Sequence, residues 1–263
     1  MRRVLDALGR HYQTPLVLFT FLALWQLAVM AFRIPEFILP TPLSALAHLF
    51  LPQHDANYGW PLQISTTLYE IAVSFAATSF VGVALAVLIS WSKLLRDLVL
   101  PFFIFVNSLP IIAIAPIILL WSGYGIFTNI LIAFLVSFFP VMINAATGLG
   151  EVDEDLLDLV RYLHASKAQV FLKIRLPNSL PYIFSGLKIC STMCVVGAIV
   201  GEFIASDRGL GYIIINSQYT MDMPPIFASF IVVSVMGVAL FALVALAQKL
   251  LMPWWREEAA TSV

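Results

Sequence analysis

Residues 125–147 read GIFTNILIAFLVSFFPVMINAAT, a run without a single Lys, Arg, Asp or Glu. At 1.5 Å per residue a helix of this length spans the roughly 30 Å hydrocarbon core of a bilayer. The run is too long for a transmembrane β-strand and lacks the two-residue alternation of a barrel wall. Alone in lipid, such a segment satisfies its backbone only as a helix. Five more long apolar stretches occur, at about 16–33, 62–90, 98–121, 180–205 and 226–250, with few charges inside them. The expected fold is all-α: a polytopic membrane protein with six transmembrane helices in a single domain over residues 1–263.

Composition points the same way. The 263 residues are 61% hydrophobic and 11% charged, with mean hydropathy +0.95, whereas a soluble domain carries about 25% charged residues. Too little polar surface remains for a soluble enzyme or a disordered chain, and a net charge of −1 gives no case for nucleic acid. Cys190 and Cys194 lie in an apolar run without His or acid beside them. They read as small packing residues, with no metal site and no disulfide framework.

The basic residues set the orientation. With a cytoplasmic N-terminus, only Arg33 and Arg208 of the 14 Lys and Arg fall outside, a clear positive-inside bias. Both termini are then cytoplasmic. The first span contains Trp25 and Gln26 and runs into Phe32-Arg33-Ile34-Pro35 without a small-residue cleavage site, so it reads as retained.

Charges inside spans are few and costly, about 2.5–3.5 kcal/mol near a helix centre. Lys188 sits close enough to the inner end to snorkel. Glu202, near Arg208, reads as half of an external ion pair or as a gate residue. Glu70 faces helices or water rather than lipid. Asn107, Ser108 and Pro110 interrupt the third span. Unwound backbone at that depth belongs in protein or beside a water-filled cavity. The translocation path is therefore expected along the third and fifth spans, lined by Asn107, Ser108, Pro110 and Glu202, with a simple packing kink as the plainer alternative. Gly197-x3-Gly201 permits close helix approach, within the bundle or between two copies.

Outside the spans, Thr41 and Pro42 read as N-cap and first residue of a short interfacial helix. His48 and His54 beside it have no metal-like partner set. In the external segment 206–225, Gly209-Leu210-Gly211 and Pro224-Pro225 bracket another short element near 212–215, expected to be interfacial or partner-facing. The cytoplasmic loop, 148–179, holds the densest charge in the chain. A first helix is expected near 153–163, with Leu156, Leu159, Val160 and Leu163 on one face. After a turn at His164-Ala165, Ser166 and Gln169 form a capping-box pattern that opens a second helix, expected to stop at Pro177.

Ala165-Ser166-Lys167-Ala168-Gln169-Val170-Phe171, followed by Ile174-x-Leu176-Pro177-x3-Pro181 and Gly186-Leu187, resembles the EAA loop of binding-protein-dependent ABC transporter permeases. Ile38-Leu39-Pro40-Thr41-Pro42, Leu109-Pro110-x5-Pro116-Ile117-x3-Trp121 and Gly209-Leu210-Gly211-Tyr212 resemble the nitrate/sulfonate/taurine-type branch. That branch also includes importers of vitamin precursors and aromatic acids. Where the family pattern has Glu-Ala-Ala and a later Gly, this chain has Asp158-Leu159-Val160 and His164. Histidine tolerates positive φ better than most residues, so a left-handed turn stays accessible.

The resemblance implies a type I importer-like permease in a bacterial cytoplasmic membrane, working by alternating access. Its partners would be an ATPase dimer, a second permease copy and an external solute-binding protein, with the lipid bilayer around it. ATP and Mg would sit on the ATPase. This chain has no G-x-x-x-x-G-K-[ST] loop, and no catalytic residue or cofactor is assigned to it. Asp158, Arg161, His164, Ala165, Ser166 and Lys167 are the implied ATPase contacts. An ion-coupled secondary carrier using Glu70 and Glu202 as a relay is the rival reading.

Overall fold

The computed structural model describes residues 2–50 and 58–254, with side chains from residue 16 onward except 18, 93 and 96. His54 and Arg256 lie outside the described residues. The helices are α1 (Arg2–Ala31), α2 (Pro42–Phe50), α3 (Trp60–Ser90), α4 (Lys93–Asn107), α5 (Ile111–Ser122) and α6 (Ile126–Gly150). They continue with α7 (Glu154–Tyr162), α8 (Lys167–Val170), α9 (Leu176–Ala205), α10 (Leu210–Tyr219) and α11 (Met223–Leu251). Among the described residues there is no strand.

Among the described residues, four helical runs are long and apolar enough to cross a bilayer: α3, α6, Lys167–Ala205 and α11. The stretch expected as one span at 98–121 is instead two helices, Asp97–Asn107 and Ile111–Ser122, meeting at 95°. The chemistry of the joint explains the bend. Ser108 turns its hydroxyl back onto the Ile104 carbonyl at 2.9 Å, and Pro110, without an N–H, can only begin the next helix. α1 covers the first apolar stretch and ends at Ala31, just before Arg33 turns the chain with φ 48°. Phe19, Leu24, Leu27 and Met30 of α1 are exposed, the surface expected of a lipid-facing helix.

α6 is the central element, packed between α3 and α9. Glycine makes the α6–α9 approach possible. A Cβ at Gly197 would lie 2.6 Å from the Ala133 Cα, and one at Gly201 would lie 2.8 Å from the Asn129 Cα. The Gly197-x3-Gly201 pair therefore packs the bundle internally. Small polar groups line the same seam: Thr78 and Ser137 hydroxyls are 3.0 Å apart, and the Cys194 thiol reaches Ser137 Oγ at 3.1 Å. Cys190 and Cys194 are buried, their sulfurs 3.6 Å apart, as packing residues of this seam.

Pro177 does not stop a helix. The chain continues from α8 through a π-helical turn, Phe171–Arg175, directly into α9. In that wider turn the Leu176 N–H reaches back five residues to the Phe171 carbonyl. The Pro177 ring thus enters where an i−4 bond is already relaxed, which removes the usual proline clash. At the other end of the bundle, the element expected at 212–215 is the longer α10, whose Leu210, Ile213 and Ile214 are buried in the core rather than laid on an interface. α2 begins as expected, with Thr41 Oγ1 accepting the Ser44 N–H at 3.1 Å.

Candidate functional site

Two places concentrate chemistry, at opposite ends of α9. At its C-terminal end a buried polar cluster ties four helices together. Three consecutive backbone N–H groups at the start of α10 are each taken by a side chain from another helix. Gln63 Oε1 accepts Gly209 N–H at 2.6 Å, Thr67 Oγ1 accepts Leu210 N–H at 2.8 Å, and Glu202 Oε2 accepts Gly211 N–H at 2.5 Å. The Thr67 hydroxyl donates in turn to Glu202 Oε1 at 2.6 Å. A helix N-terminus offers exactly such unsatisfied donors and a positive dipole end, so an acid from α9 is well placed there. Gly209 is required: its φ is 101°, and a Cβ would collide with the Glu202 carboxyl. Behind this cap, Asn129 of α6 donates to Glu70 Oε1 at 2.8 Å. Glu70 is 0% and Glu202 1% exposed.

Nearby, Tyr58 donates to Asp222 Oδ2 at 2.5 Å and braces the starts of α3 and α11. Burial first, and then the Asp222 carboxylate that accepts its proton, push the Tyr58 hydroxyl up to about 12.

The second place is the loop between α6 and α9. Asp153 caps α7 by accepting the Asp155 N–H at 2.9 Å. The helix ends in a Schellman motif: Ala165 N–H bonds the Val160 carbonyl at 3.1 Å and His164 N–H bonds the Arg161 carbonyl at 2.9 Å. The residue just past the C-cap, where glycine is usual, is His164 with φ 52°. Ser166 then opens α8 with a complete capping box. α7 and its C-cap leave Leu156, Leu159, Tyr162 and Leu163 exposed, a hydrophobic face that the other described residues do not cover.

The six residues read from sequence as ATPase contacts thus lie together on the last turns of α7, the following turn and the start of α8, all exposed except Ala165, which is half-buried. Asp158 and Arg161 pair with each other at 2.7 Å, and Lys167 begins α8. The four translocation-path residues do not come together. Asn107, Ser108 and Pro110 lie exposed at the α4–α5 bend, whereas Glu202 is enclosed in the far-end cluster. None of them lines the open groove of about 710 Å³ between α4 and α6, whose walls include Asp97, Ile104, Ile143 and Thr147. Glu202 forms no ion pair with Arg208, which lies instead 4.0 Å from Asp207. Glu202 is turned inward by the stronger demand of the α10 N–H groups.

Sequence reasoning missed Gln63, Thr67 and Asn129. Thr67 and Glu70 stand one helical turn apart on α3, and that shared face was the available signal. No pattern in the sequence links either to residue 129 or 202.

The family model described as binding-protein-dependent transport system inner membrane component matches residues 78–257. The chain belongs to this family. The formylaminopyrimidine transport permease protein ThiX of Halalkalibacterium halodurans is 28% identical over 252 residues, covering 95% of this permease and 99% of ThiX. A probable ABC transporter permease protein of Haemophilus influenzae is 31% identical over 226 residues, 86% of this chain and 91% of that one. The nitrate import permease protein NrtB of Synechocystis is 29% identical over 222 residues, 82% and 81% of the two chains. The permease is accordingly the membrane subunit of an ABC importer, a transport protein rather than an enzyme, and its family operates with ATPase and binding-protein partners. An ion-coupled carrier relaying through Glu70 and Glu202 is displaced by this membership.

Proposed function

We propose that the permease works as a homodimer in a bacterial cytoplasmic membrane, both termini cytoplasmic, and passes a small solute inward from an external binding protein. The α7–α8 element docks in a groove on each ATPase subunit, where ATP and Mg are held. The uncovered apolar face of α7, presented on a rigidly capped turn, carries this reading. Closure of the ATPase pair would move α7 and α8 as a unit. The π turn joins them without a break to α9, so the motion passes into the bundle as a rigid-body shift between two access states. Relatives named for a formylaminopyrimidine and for nitrate support a small, planar or anionic cargo, with selectivity resting on the binding protein.

The test is uptake in proteoliposomes that contain the permease, its ATPase and its binding protein. ATP-dependent, vanadate-sensitive uptake of the ligand bound by that binding protein is expected. Uptake that follows an imposed proton gradient without ATP would overturn the reading. Cross-linking from Leu159→Cys should reach the ATPase, and labelling of that position by lipid alone would overturn the docking role.

A further inference from the structure

Among the described residues, the far-end cluster has two acids and leaves one carboxyl oxygen without a donor. From α3 come Glu70 and Thr67, from α6 Asn129, from α9 Glu202, and from α10 the N–H groups of Leu210 and Gly211. Among the described residues neither Glu70 nor Glu202 forms an ion pair. The two acids are held as neighbours: Thr67, one turn from Glu70 on α3, donates to Glu202, and Asn129, which donates to Glu70, packs against Gly201 beside Glu202. Both Glu202 oxygens already accept, from Thr67 and from Gly211. Glu70 Oε1 accepts from Asn129, but Glu70 Oε2 and Asn129 Oδ1 are shut off from solvent without a donor. Two bare carboxylates in an enclosed site with no cation are far more costly than one. A buried acceptor left unmatched is costly as well.

We propose that Glu70 and Glu202 form a one-proton site, in which Glu70 Oε2 carries the proton and donates it to the Glu202 carboxylate. The single negative charge then rests on Glu202, against the N-terminus of α10, where the helix dipole favours it. The proton is a structural ligand that locks α3 to α9 behind the α10 cap. It is not cargo, and it is not exchanged during transport.

The test uses the full-length permease in lipid nanodiscs. Infrared spectra of wild type with carboxyl-13C-labelled glutamate should show an isotope-shifted band of a neutral carboxylic acid at pH 7. Glu70→Gln should lose that band and keep the wild-type unfolding temperature, because its amide N–H donates where the acid O–H did. Glu202→Gln should lower the unfolding temperature by several degrees, because the charge on the α10 cap is lost. The proposal is overturned if the labelled wild type shows no neutral-acid band, a readout that needs no variant to fold. It is equally overturned if E70Q is destabilised as far as E202Q. Sodium chloride, compared with potassium chloride, raising the unfolding temperature of wild type but not of E70Q would make this a metal-cation site and overturn it too.

Discussion

At the far end of the permease, Gln63, Thr67 and Glu202 saturate the first N–H groups of α10 from within the chain, and both acids are enclosed. At the loop end, α7 turns four large apolar side chains outward, and the Asp158–Arg161 pair is 71% and 76% exposed. The first region has its helix cap filled from within one chain. The second has its backbone fully capped but its side chains uncovered, as a surface built for a partner would be. Substitutions at the two ends should therefore separate. Far-end changes should appear in the isolated permease, and loop changes should appear only when the ATPase is present.

Gly209→Ala is the strongest way to break the far end. The residue sits at φ 101° and ψ 170°, a region essentially reserved for glycine. The added methyl would also strike the Glu202 carboxyl. Strain and overpacking together cost roughly 3–5 kcal/mol. Size-exclusion chromatography and thermal unfolding in detergent should show little folded permease.

Thr67→Val is milder and more specific. It keeps the side-chain volume but removes the acceptor of Leu210 N–H and the donor to Glu202. Leaving these buried groups unmatched costs about 1–3 kcal/mol, read as a lower unfolding temperature of the isolated permease, with Thr67→Ser close to wild type. Unchanged stability in T67V would mean that α10 is held by its apolar packing alone.

His164→Val tests the other end. A β-branched residue is a poor occupant of φ 52°, at about 1–2 kcal/mol. The strain falls on an exposed turn, so unfolding of the isolated permease should be unaffected, while ATP-driven uptake falls. His164→Gly should transport as wild type. Equal transport by H164V and wild type would remove the geometric role of this turn.

The sequence reveals the loop far better than the cluster, and the reason is range. Caps, dipole charges and turns are settled by neighbours three to five residues apart. The helix near 153–163, the Ser166–Gln169 box and the left-handed His164 are therefore all legible locally. The cluster joins residues 63–70, 129 and 202–211, and no periodicity in one chain reports which helices adjoin. Glu202 was visible as an expensive charge, but with Arg208 six residues away the sequence favoured an outward ion pair. Pro177 misled for a related reason. A proline in a helical pattern predicts a stop, and only the three-dimensional path shows the π turn that accommodates it.

Asp158→Ala should have the smallest effect on the molecule itself and so sharpens the contrast most. An ion pair this exposed contributes at most about 0.5 kcal/mol, so thermal unfolding of the isolated permease should match wild type. Retention of the ATPase on immobilised permease should nevertheless fall if the loop is the docking surface. Arg161→Ala provides the second edge of a cycle. If Asp158 acts by holding Arg161 in place, the double variant should retain as much ATPase as the weaker single variant. If each side chain touches the ATPase on its own, the losses should add. Retention unchanged in all three variants would shift the weight of docking to Leu156, Leu159 and Leu163, whose apolar surface would then be the part of the loop that the ATPase reads.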